Sequence, residues 1–446
     1  MSVARKVQIL PAGMQRISEA LEKFKLPTHP FEQATCRASR IQECRCAQRS
    51  GRVVSHISLV VLGLWLIVLT GCRKHDFPQY AADYREYAYV TNGGSGTVSV
   101  IDVVNVRLDR ELAVGKNPVA VAANPVRNEV YVVNSGAENQ SGSLTVINAE
   151  GNTVAATIAL HRRPVAIAVD AAGEWAYVAN SGSNTVSVVD LKSHRETALI
   201  GTGEEPDAVR LAPDGKTLII ANRQGASASI VDLSSPASLA SRKVRAVFEG
   251  CPGASDVVVL PDSSKAFVAC SAGHQIMAIS LARSAKGDGQ SDTFQPDRME
   301  ALLDVGRAPV QLALKPDGGE LFTLNSLSNS ISEVVTSTDD VGGAYLMGAN
   351  PVRGLVSSDN SLLYVGNLSS EEVTIYSIDD GKRKGSIHVG DGPAALAFSA
   401  AGHLLFVVDA HSADVAAVRT STGSLFTLIP VGRDPNAIVL KAFKAH

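Results

Sequence analysis

The stretch that decides the fold is residues 164–205, PVAIAVDAAGEWAYVANSGSNTVSVVDLKSHRETALIGTGEE. Its apolar and alternating runs predict four short β-strands, at Pro164–Asp170, Ala176–Asn180, Thr185–Asp190 and Glu196–Ile200. Tight turns of Gly, Ser, Asn and Asp separate the runs, a pattern typical of an antiparallel meander. One meander of this size buries too little apolar surface to be stable alone, so we expect further copies packed against it.

Copies of the second predicted strand recur along the chain as a tetrapeptide that usually ends in asparagine. Eight copies occur, at residues 89–92, 131–134, 177–180, 219–222, 267–270, 322–325, 364–367 and 406–409. The first strand of seven units opens on a proline, at Pro118, Pro164, Pro206, Pro309, Pro351, Pro393 and Pro435. Ala254 has that place in the fifth unit. The regular spacing indicates one large repeat domain.

These tetrapeptides, together with TVSV at Thr97–Val100 and Thr185–Val188, resemble the YVTN family of β-propeller repeats. The resemblance covers about residues 84–441 and implies an all-β propeller built from four-stranded blades. Eight copies imply eight blades. Members of the family are often seven-bladed, so a seven-bladed ring with one irregular unit is the alternative.

The two ends of the repeat region predict how the ring closes. The first unit begins with its second strand, whereas Pro435–Leu440 is a first strand with no second strand after it. We therefore expect Pro435–Leu440 to pair beside Tyr89–Asn92 and complete blade one, which removes the free sheet edges. Because strand side chains alternate, Val439 should face the opposite way from Ile438 and Leu440.

The N-terminal residues 1–71 lie outside the repeats and predict a leader with a signal peptide. Ile57–Leu69 is an apolar run of 13 residues, shorter than the ~20 helical residues that a bilayer core takes. Basic residues precede it, as in a secretory signal. The following Leu69-Thr-Gly-Cys72 resembles the lipobox of bacterial lipoproteins. The resemblance implies cleavage before Cys72 and lipidation of its thiol, and an uncleaved signal anchor is the alternative.

Cleavage there would leave residues 72–86 as a tether and residues 87–441 as the propeller. The implied product is an exported, membrane-anchored lipoprotein. Arg73 follows the cysteine where an inner-membrane retention signal would have aspartate. In a Gram-negative host this favours the outer membrane, with the protein facing the periplasm or the cell surface.

The predicted mature chain is acidic. Residues 72–446 carry 31 basic and 40 acidic side chains, a net charge of −9. An acidic domain without a basic stripe is a poor candidate for nucleic-acid binding. The predicted partners are therefore the membrane, through lipidated Cys72, and envelope proteins or a small ligand.

Two cysteines besides Cys72 remain in the predicted mature chain, Cys251 and Cys270. An oxidising exterior permits a disulfide. The turn at Pro261–Ser264 brings the two cysteines near each other, but a few residues away from direct opposition. The sequence is compatible both with a disulfide between them and with two buried thiols.

Charged residues recur in the turns before each first strand and after each second strand. In a propeller these turns converge around the central channel, which predicts binding groups at its mouth: Lys116, Arg162, Arg163, Glu204, Arg223, Arg307, Asp391, Asp409 and Arg433. A subset on blades one to three, which we call the basic arc, consists of Lys116, Arg162, Arg163 and Arg433. Its charge suits an anionic ligand or partner. The alternative is that these turns are polar only for solubility.

The asparagines that end the second strands are interpreted as fold residues. We expect their side-chain amides to bond to backbone groups of the following turn.

Common enzyme and cofactor motifs are missing from the sequence. It has no Cys-x-x-Cys-His, no Gly-x-Ser-x-Gly and no His-Glu-x-x-His, and its histidines are scattered over different units. No catalytic residue, metal ligand or cofactor is predicted. We expect a lipid-anchored β-propeller of the cell envelope that acts as a binding or protein-interaction scaffold. The alternative is a lactonase-like or quinoprotein-like enzyme, with Glu204, Asp391 and Asp409 in the channel.

Overall fold

A computed structural model describes residues 78–234, 243–285 and 293–445, without side chains for residues 283–285 and 293. The predicted leader, the lipobox and Cys72 lie outside the described residues. Within the described ranges the chain is almost all β-strand, with one short 3-10 helix at Ser181–Ser183. No helix in these ranges is long and apolar enough to cross a membrane.

The described strands form eight four-stranded antiparallel sheets, the blades of a propeller. The first strands are β34 (Pro435–Lys444), β4 (Pro118–Ala123), β8 (Pro164–Val169), β12 (Pro206–Leu211), β16 (Ala254–Val259), β22 (Pro309–Leu314), β26 (Pro351–Val356) and β30 (Pro393–Phe398). The second strands are β1 (Tyr84–Asn92), β5 (Glu129–Asn134), β9 (Trp175–Asn180), β13 (Thr217–Asn222), β17 (Lys265–Cys270), β23 (Glu320–Asn325), β27 (Leu362–Asn367) and β31 (Leu404–Asp409). Both series run from blade one to blade eight.

The outer half of each blade follows in the same blade order. The third strands are β2 (Thr97–Asp102), β6 (Ser141–Asn148), β10 (Thr185–Asp190), β14 (Ser227–Asp232), β18 (Gln275–Ser280), β24 (Ser330–Val335), β28 (Glu372–Ser377) and β32 (Asp414–Arg419). The fourth strands are β3 (Arg107–Ala113), β7 (Thr153–Arg162), β11 (Arg195–Gly201), β15 (Val244–Glu249), β21 (Arg298–Asp304), β25 (Asp340–Leu346), β29 (Lys382–His388) and β33 (Ser424–Pro430). A separate two-stranded ribbon, β19 (Arg283–Ala285) with β20 (Thr293–Gln295), lies between β18 and β21.

Burial along the strands follows from this arrangement. The second strands are buried at almost every position, because neighbouring blades cover both faces of each sheet. Between blades two and three, for example, Tyr131 and Val133 pack with Val178 and Leu191. The fourth strands alternate between exposed and half-buried side chains, as the outer edges of the blades.

The ring closes as the sequence predicts. Each first strand neighbours those of the two adjacent blades, and the series returns to its start with β30 beside β34 and β34 beside β4. Strand β34 pairs antiparallel with β1, with Val439 opposite Tyr89. Ile438 and Leu440 pack towards blade eight and Val439 towards blade two. The eight-bladed prediction is confirmed, and the seven-bladed alternative is excluded.

Closure is more extensive than predicted. The pairing continues outward to Tyr84 opposite Lys444, beyond the six residues of Pro435–Leu440. At this end Lys441 is buried and donates from Nζ to the carbonyl oxygen of Asn124 in blade two, at 2.7 Å. Strand β34 is therefore bonded to blade one and also tied to blade two.

Candidate functional site

One turn geometry is repeated at the mouth of all eight blades. The residue just before each first strand has a positive φ; these residues are Asn117, Arg163, Glu205, Gly253, Ala308, Asn350, Gly392 and Asp434. The carbonyl oxygen of each accepts the N–H of the residue after the second strand, as from Ser181 to Arg163 at 2.8 Å. This left-handed backbone is unfavourable for residues such as Arg163 and Glu205. It persists because the bond and the buried proline that follows hold it in place.

The backbone of the residue one position earlier is also held in place, by a hydrogen bond to the turn between the second and third strands. The backbone N–H of Arg162 donates to Ser183 Oγ at 3.0 Å, and that of Arg307 to Ser328 Oγ at 2.9 Å. Six predicted mouth residues occupy this equivalent position and are all exposed: Lys116, Arg162, Glu204, Arg307, Asp391 and Arg433. The repeat therefore places these six side chains around the rim of one face.

Members of the basic arc differ in whether they already form an ion pair or a hydrogen bond within the protein. Arg163 Nη1 lies 3.7 Å from Glu205 Oε1, and Arg433 Nη2 donates to the carbonyl oxygen of Gly94 at 3.1 Å. Within the described part of the chain, neither Lys116 nor Arg162 has a carboxylate at ion-pair distance. Positive charge without a protein partner is thus concentrated on blades two and three.

A cavity of about 370 Å³ opens beside these residues. Its lining includes Asn117, Glu138, Arg162 and Arg163. The long turn between β5 and β6 forms one wall, and the turn before β8 forms the other. The arc therefore borders a cleft in which a partner group can be held from two sides.

Two of the predicted mouth residues, Arg223 and Asp409, are not available to a partner in the way that the others are. Arg223 Nε donates to Asp207 Oδ2 at 3.0 Å, so its charge is compensated. Asp409 is fully buried, and its Oδ2 accepts the N–H of Gly390 at 3.0 Å. Desolvation, followed by the neighbouring Asp414 carboxylate, raises the pKa of Asp409 to about 8. The expectation that Asp409 binds at the mouth is contradicted, because the residue is buried beneath the turn, where six other blades have asparagine.

The strand-end asparagines also differ from expectation. Asn180 Nδ2 donates to Ser187 Oγ at 2.7 Å, and Asn222 Nδ2 donates to Ser229 Oγ at 2.9 Å. Their main partners are hydroxyls of the third strand rather than turn backbone. The reason is the strand register: Thr185 lies opposite Asn180, and Ser187, two residues later, points to the same face.

Blade five has a disulfide at the end of its second strand, where the other blades have the side-chain contacts described above. Cys251 and Cys270 are joined, with their Cα atoms 4.7 Å apart. Cys270 ends its second strand, where six other blades have asparagine. Cys251 lies three residues before the start of β16, in the position that Gly203 has before β12.

A polar cluster inside the channel is absent from the sequence-based predictions. The third residue of the first strand is alanine in five blades: Ala120, Ala166, Ala208, Ala395 and Ala437. Asp256, Gln311 and Arg353 take this place in blades five, six and seven, and Arg210 lies two positions further along in blade four. The signal in the sequence is the replacement of alanine by a polar residue at this one position of the first strand.

Each side chain of this channel cluster reaches the backbone of the next blade. Arg210 Nε donates to Val257 O at 3.0 Å, and Leu312 N donates to Asp256 Oδ2 at 3.0 Å. Gly354 N donates to Gln311 Oε1 at 2.7 Å, and Arg353 Nε donates to Ala394 O at 3.5 Å. The four contacts connect blades four to eight around one side of the channel.

Arg353 has an unusual environment for an arginine. Its side chain is exposed to the water of the channel, and partial desolvation by the surrounding protein lowers the pKa of its guanidinium. The positive charge of Arg210 lowers the pKa further, whereas Asp256 raises it. The two guanidinium groups are thus near enough to repel each other across the channel wall.

A cavity of about 450 Å³ adjoins the cluster. Besides Arg210 and Gln311, its lining is largely apolar and includes Val258, Leu314 and Leu355. In the described ranges, no group of three or more His, Cys, Asp and Glu side chains is placed to hold a metal ion.

Several solved structures have a fold similar to that of this chain. The chain resembles the solved structure of dihydro-heme d1 dehydrogenase NirN, at 13% identity and a TM-score of 0.64, over 81% of this chain and 76% of that one. It also resembles AztD from Citrobacter koseri, at 12% identity and a TM-score of 0.59, over 81% of this chain and 99% of that one. At these identities the likeness shows the fold alone.

Two further comparisons concern the sequence. No curated protein matches this chain. The family model described as YNCE-like beta-propeller matches residues 157–438, more than half of the chain. The chain therefore belongs to the YNCE-like beta-propeller family.

Proposed function

We propose that this protein is a lipid-anchored β-propeller of the cell envelope whose mouth binds an acidic protein partner. The observation that carries the proposal is the basic arc on three consecutive blades, with the backbone of Arg162 and Arg433 bonded to neighbouring turns. Because the backbone that carries these cationic side chains is already held in place, it loses little conformational freedom when a partner binds. Their uncompensated charge also speeds the encounter with an acidic surface.

The cleft on blades two and three supports a protein partner. Arg162 and Arg163 stand at one side of the cleft and the turn at residues 135–140 at the other. An acidic side chain entering between them would meet guanidinium donors, which suit carboxylates because of their fork geometry. The enclosed length of contact favours an extended acidic segment or loop of the partner.

The test is site-specific crosslinking in the native envelope. A variant with Lys116→Glu, Arg162→Glu and Arg433→Glu should lose the crosslinked partner, and high salt should release the partner from the unmodified protein. The matched control is Lys382→Glu with Lys384→Glu on the exposed outer strand β29, which leaves the mouth unchanged. Crosslinking that persists in the mouth variant, or a captured partner that is not acidic, overturns the proposal.

The anchoring half of the proposal rests on Leu69–Cys72. Mass spectrometry of the native protein should find Cys72 as a lipid-modified N-terminus, with no peptide from residues 1–71. Cys72→Ala should accumulate as a precursor that fractionates without lipid. A native protein that retains peptides containing Cys36, Cys44 or Cys46 contradicts lipidation at Cys72.

A further inference from the structure

We propose that the propeller is held with its mouth turned away from the membrane, so that the basic arc meets a partner in the aqueous compartment and not the lipid headgroups. This inference rests on the lipid anchor at Cys72 proposed above and specifies how that anchor orients the mouth. It is carried by the contacts of Tyr80 and Tyr84 on the face opposite the mouth, which we call the lower face. The lower face carries the turns between the first and second strands of the blades.

Tyr80 is held on the lower face by a ring contact and a hydrogen bond. Its ring stacks on that of Tyr84, the first residue of β1, with the ring centroids 4.6 Å apart. Its hydroxyl oxygen lies at hydrogen-bond distance, 3.3 Å, from His403 Nε2. Because His403 belongs to the turn between β30 and β31 of blade eight, Tyr80 is fixed to the lower face of two blades.

The segment that follows Tyr80 is held at the same level. The hydroxyl of Tyr84 donates to Glu86 Oε2 at 2.7 Å, and the buried Glu86 accepts the N–H of Ala400 at Oε1, also at 2.7 Å. The N–H of Ala445 donates to the carbonyl oxygen of Asp83 at 2.7 Å. This segment would have to break contacts with blade eight and with the end of the closing strand to leave the lower face.

Chain length limits how far the anchor lies from this point. Tyr80 is eight residues after Cys72. A fully extended chain spans at most ~3.6 Å per residue, so the anchor lies within about 29 Å of Tyr80.

The opposite orientation needs a longer connection. Strand β1 runs from Tyr84 on the lower face to Asn92 at the mouth, a distance of about 27 Å at ~3.4 Å per residue. Before covering that distance, the chain would have to pass outwards around the two outer strands of a blade, which adds about 10 Å. The whole route exceeds about 35 Å, which is more than the residues after Cys72 supply. A mouth that faces the membrane is therefore incompatible with anchoring at Cys72.

This orientation distinguishes between two anionic partners of the basic arc. Lys116 and Arg162 suit both the phosphate groups of lipids and the carboxylates of a protein. At the mouth they lie about 27 Å from the lower face, well beyond the ~8 Å Debye length at physiological ionic strength. Attraction to anionic headgroups is screened over such a distance, so the acidic partner approaches from the aqueous side.

The test measures distances from two labels to the bilayer. The native lipidated protein is purified in detergent and reconstituted into vesicles of phosphatidylcholine and phosphatidylglycerol. Lys216 and Gln224 are exposed and flank β13, Lys216 on the lower face and Gln224 at the mouth. Each variant, Lys216→Cys or Gln224→Cys, adds one free thiol. The other cysteines of residues 72–446 are Cys72, which carries the lipid, and the disulfide-bonded Cys251 and Cys270. Energy transfer to a lipid dye should place the label at residue 224 farther from the bilayer, by up to about 20 Å.

The control lengthens the tether. Insertion of about 16 glycine and serine residues between His75 and Asp76 permits either orientation, so the two distances should become similar. An unchanged difference in this variant overturns tether length as the cause of the orientation. Raising the fraction of phosphatidylglycerol should change neither distance in the protein with the unmodified tether.

The outcomes separate the orientation from the anchor. In the protein with the unmodified tether, a label at Gln224 that is as near to the bilayer as the label at Lys216 overturns the orientation. A label at Gln224 that phosphatidylglycerol draws towards the bilayer also overturns it. A protein that does not float with the vesicles contradicts the anchoring at Cys72 itself, and the orientation falls with it.

Discussion

The disulfide between Cys251 and Cys270 replaces, in blade five, a contact between a turn glycine and a strand-end asparagine. In blade four the same contact joins Gly203 and Asn222, where a Cβ on the glycine would lie 2.8 Å from Asn222 Cγ. The glycine is required by this close approach. A side chain is accommodated in blade five because the cysteine at that place is bonded to its neighbour instead of clashing with it.

Reduction of this disulfide should lower the free energy of unfolding by about 3 kcal/mol, the value expected for a loop of this size. The bond closes a loop with a sequence separation of 19 residues. Denaturant unfolding with and without reductant measures the difference. A matched variant with Cys251→Gly, Cys270→Asn and Met277→Ser restores the glycine, amide and hydroxyl of other blades. It should be insensitive to reductant, and an unmodified protein equally insensitive to reductant contradicts the prediction.

Asp409 should make stability depend on pH. Its pKa is raised from 3.8 to about 8 in the folded protein, so between these values the folded state holds a proton that the unfolded state releases. The contribution of this carboxyl group to the stability of the protein is therefore greatest at low pH and decreases as the pH rises towards 8. Asp409→Asn removes the ionisable group and should stabilise the protein at pH 8 by about 1–3 kcal/mol, with little effect at pH 4.

Thermal unfolding of both proteins from pH 4 to pH 9 tests this expectation. The control is Asp391→Asn, which changes an exposed carboxylate on the mouth. The difference between Asp409→Asn and the unmodified protein should widen with pH, and that of the control should not. A constant difference across the range would show that Asp409 is ionised throughout.

The amide–hydroxyl pair of Asn180 and Ser187 should contribute to stability as a pair. Asn180→Ala should cost about 1–2 kcal/mol, because it removes a buried hydrogen bond and leaves the hydroxyl without it. Ser187→Ala in the Asn180→Ala background should cost much less than it does alone. A double-mutant cycle by denaturant unfolding measures the coupling, and additive losses would mean that the bond contributes nothing of its own.

Removal of residues 434–446 should open the ring. The deletion takes away β34, exposes the paired edge of β1 and uncovers the apolar surface that Ile438 and Val439 bury. We expect aggregation or a large fall in melting temperature. Deleting only residues 445–446 is the control and should have little effect. A longer deletion that melts like the unmodified protein contradicts closure by β34.

Blade number and closure were readable from the sequence because they depend on local patterns. The strand-two tetrapeptide repeats in all eight blades, and the proline that opens the first strand repeats in seven of them. The final strand, at Pro435, has no second strand after it and therefore points to the unpaired edge at Tyr89. These are short-range signals of strand and turn, which do not depend on distant contacts.

The channel cluster and the burial of Asp409 were not predicted, because they depend on contacts between blades. Arg353 stands in an apolar strand and has no motif around it, and its significance comes from Asp256 and Arg210 on other blades. Its charge and its position at the end of a second strand predict a place at the mouth for Asp409. In the folded protein it lies beneath the backbone of Gly390 and beside Asp414, where burial rather than charge decides its state.

The pairing of Tyr84 with Lys444 has a consequence for the order of events during biosynthesis. These two residues are 360 positions apart, and at ~5–20 residues per second the ribosome needs roughly 20–70 s between them. During that interval β1 is an incomplete blade with an open, apolar edge, which is prone to bind other unfinished chains. The propeller is therefore completed only after translation of its last strand, and until then the edge of β1 that β34 covers in the finished ring stays unpaired.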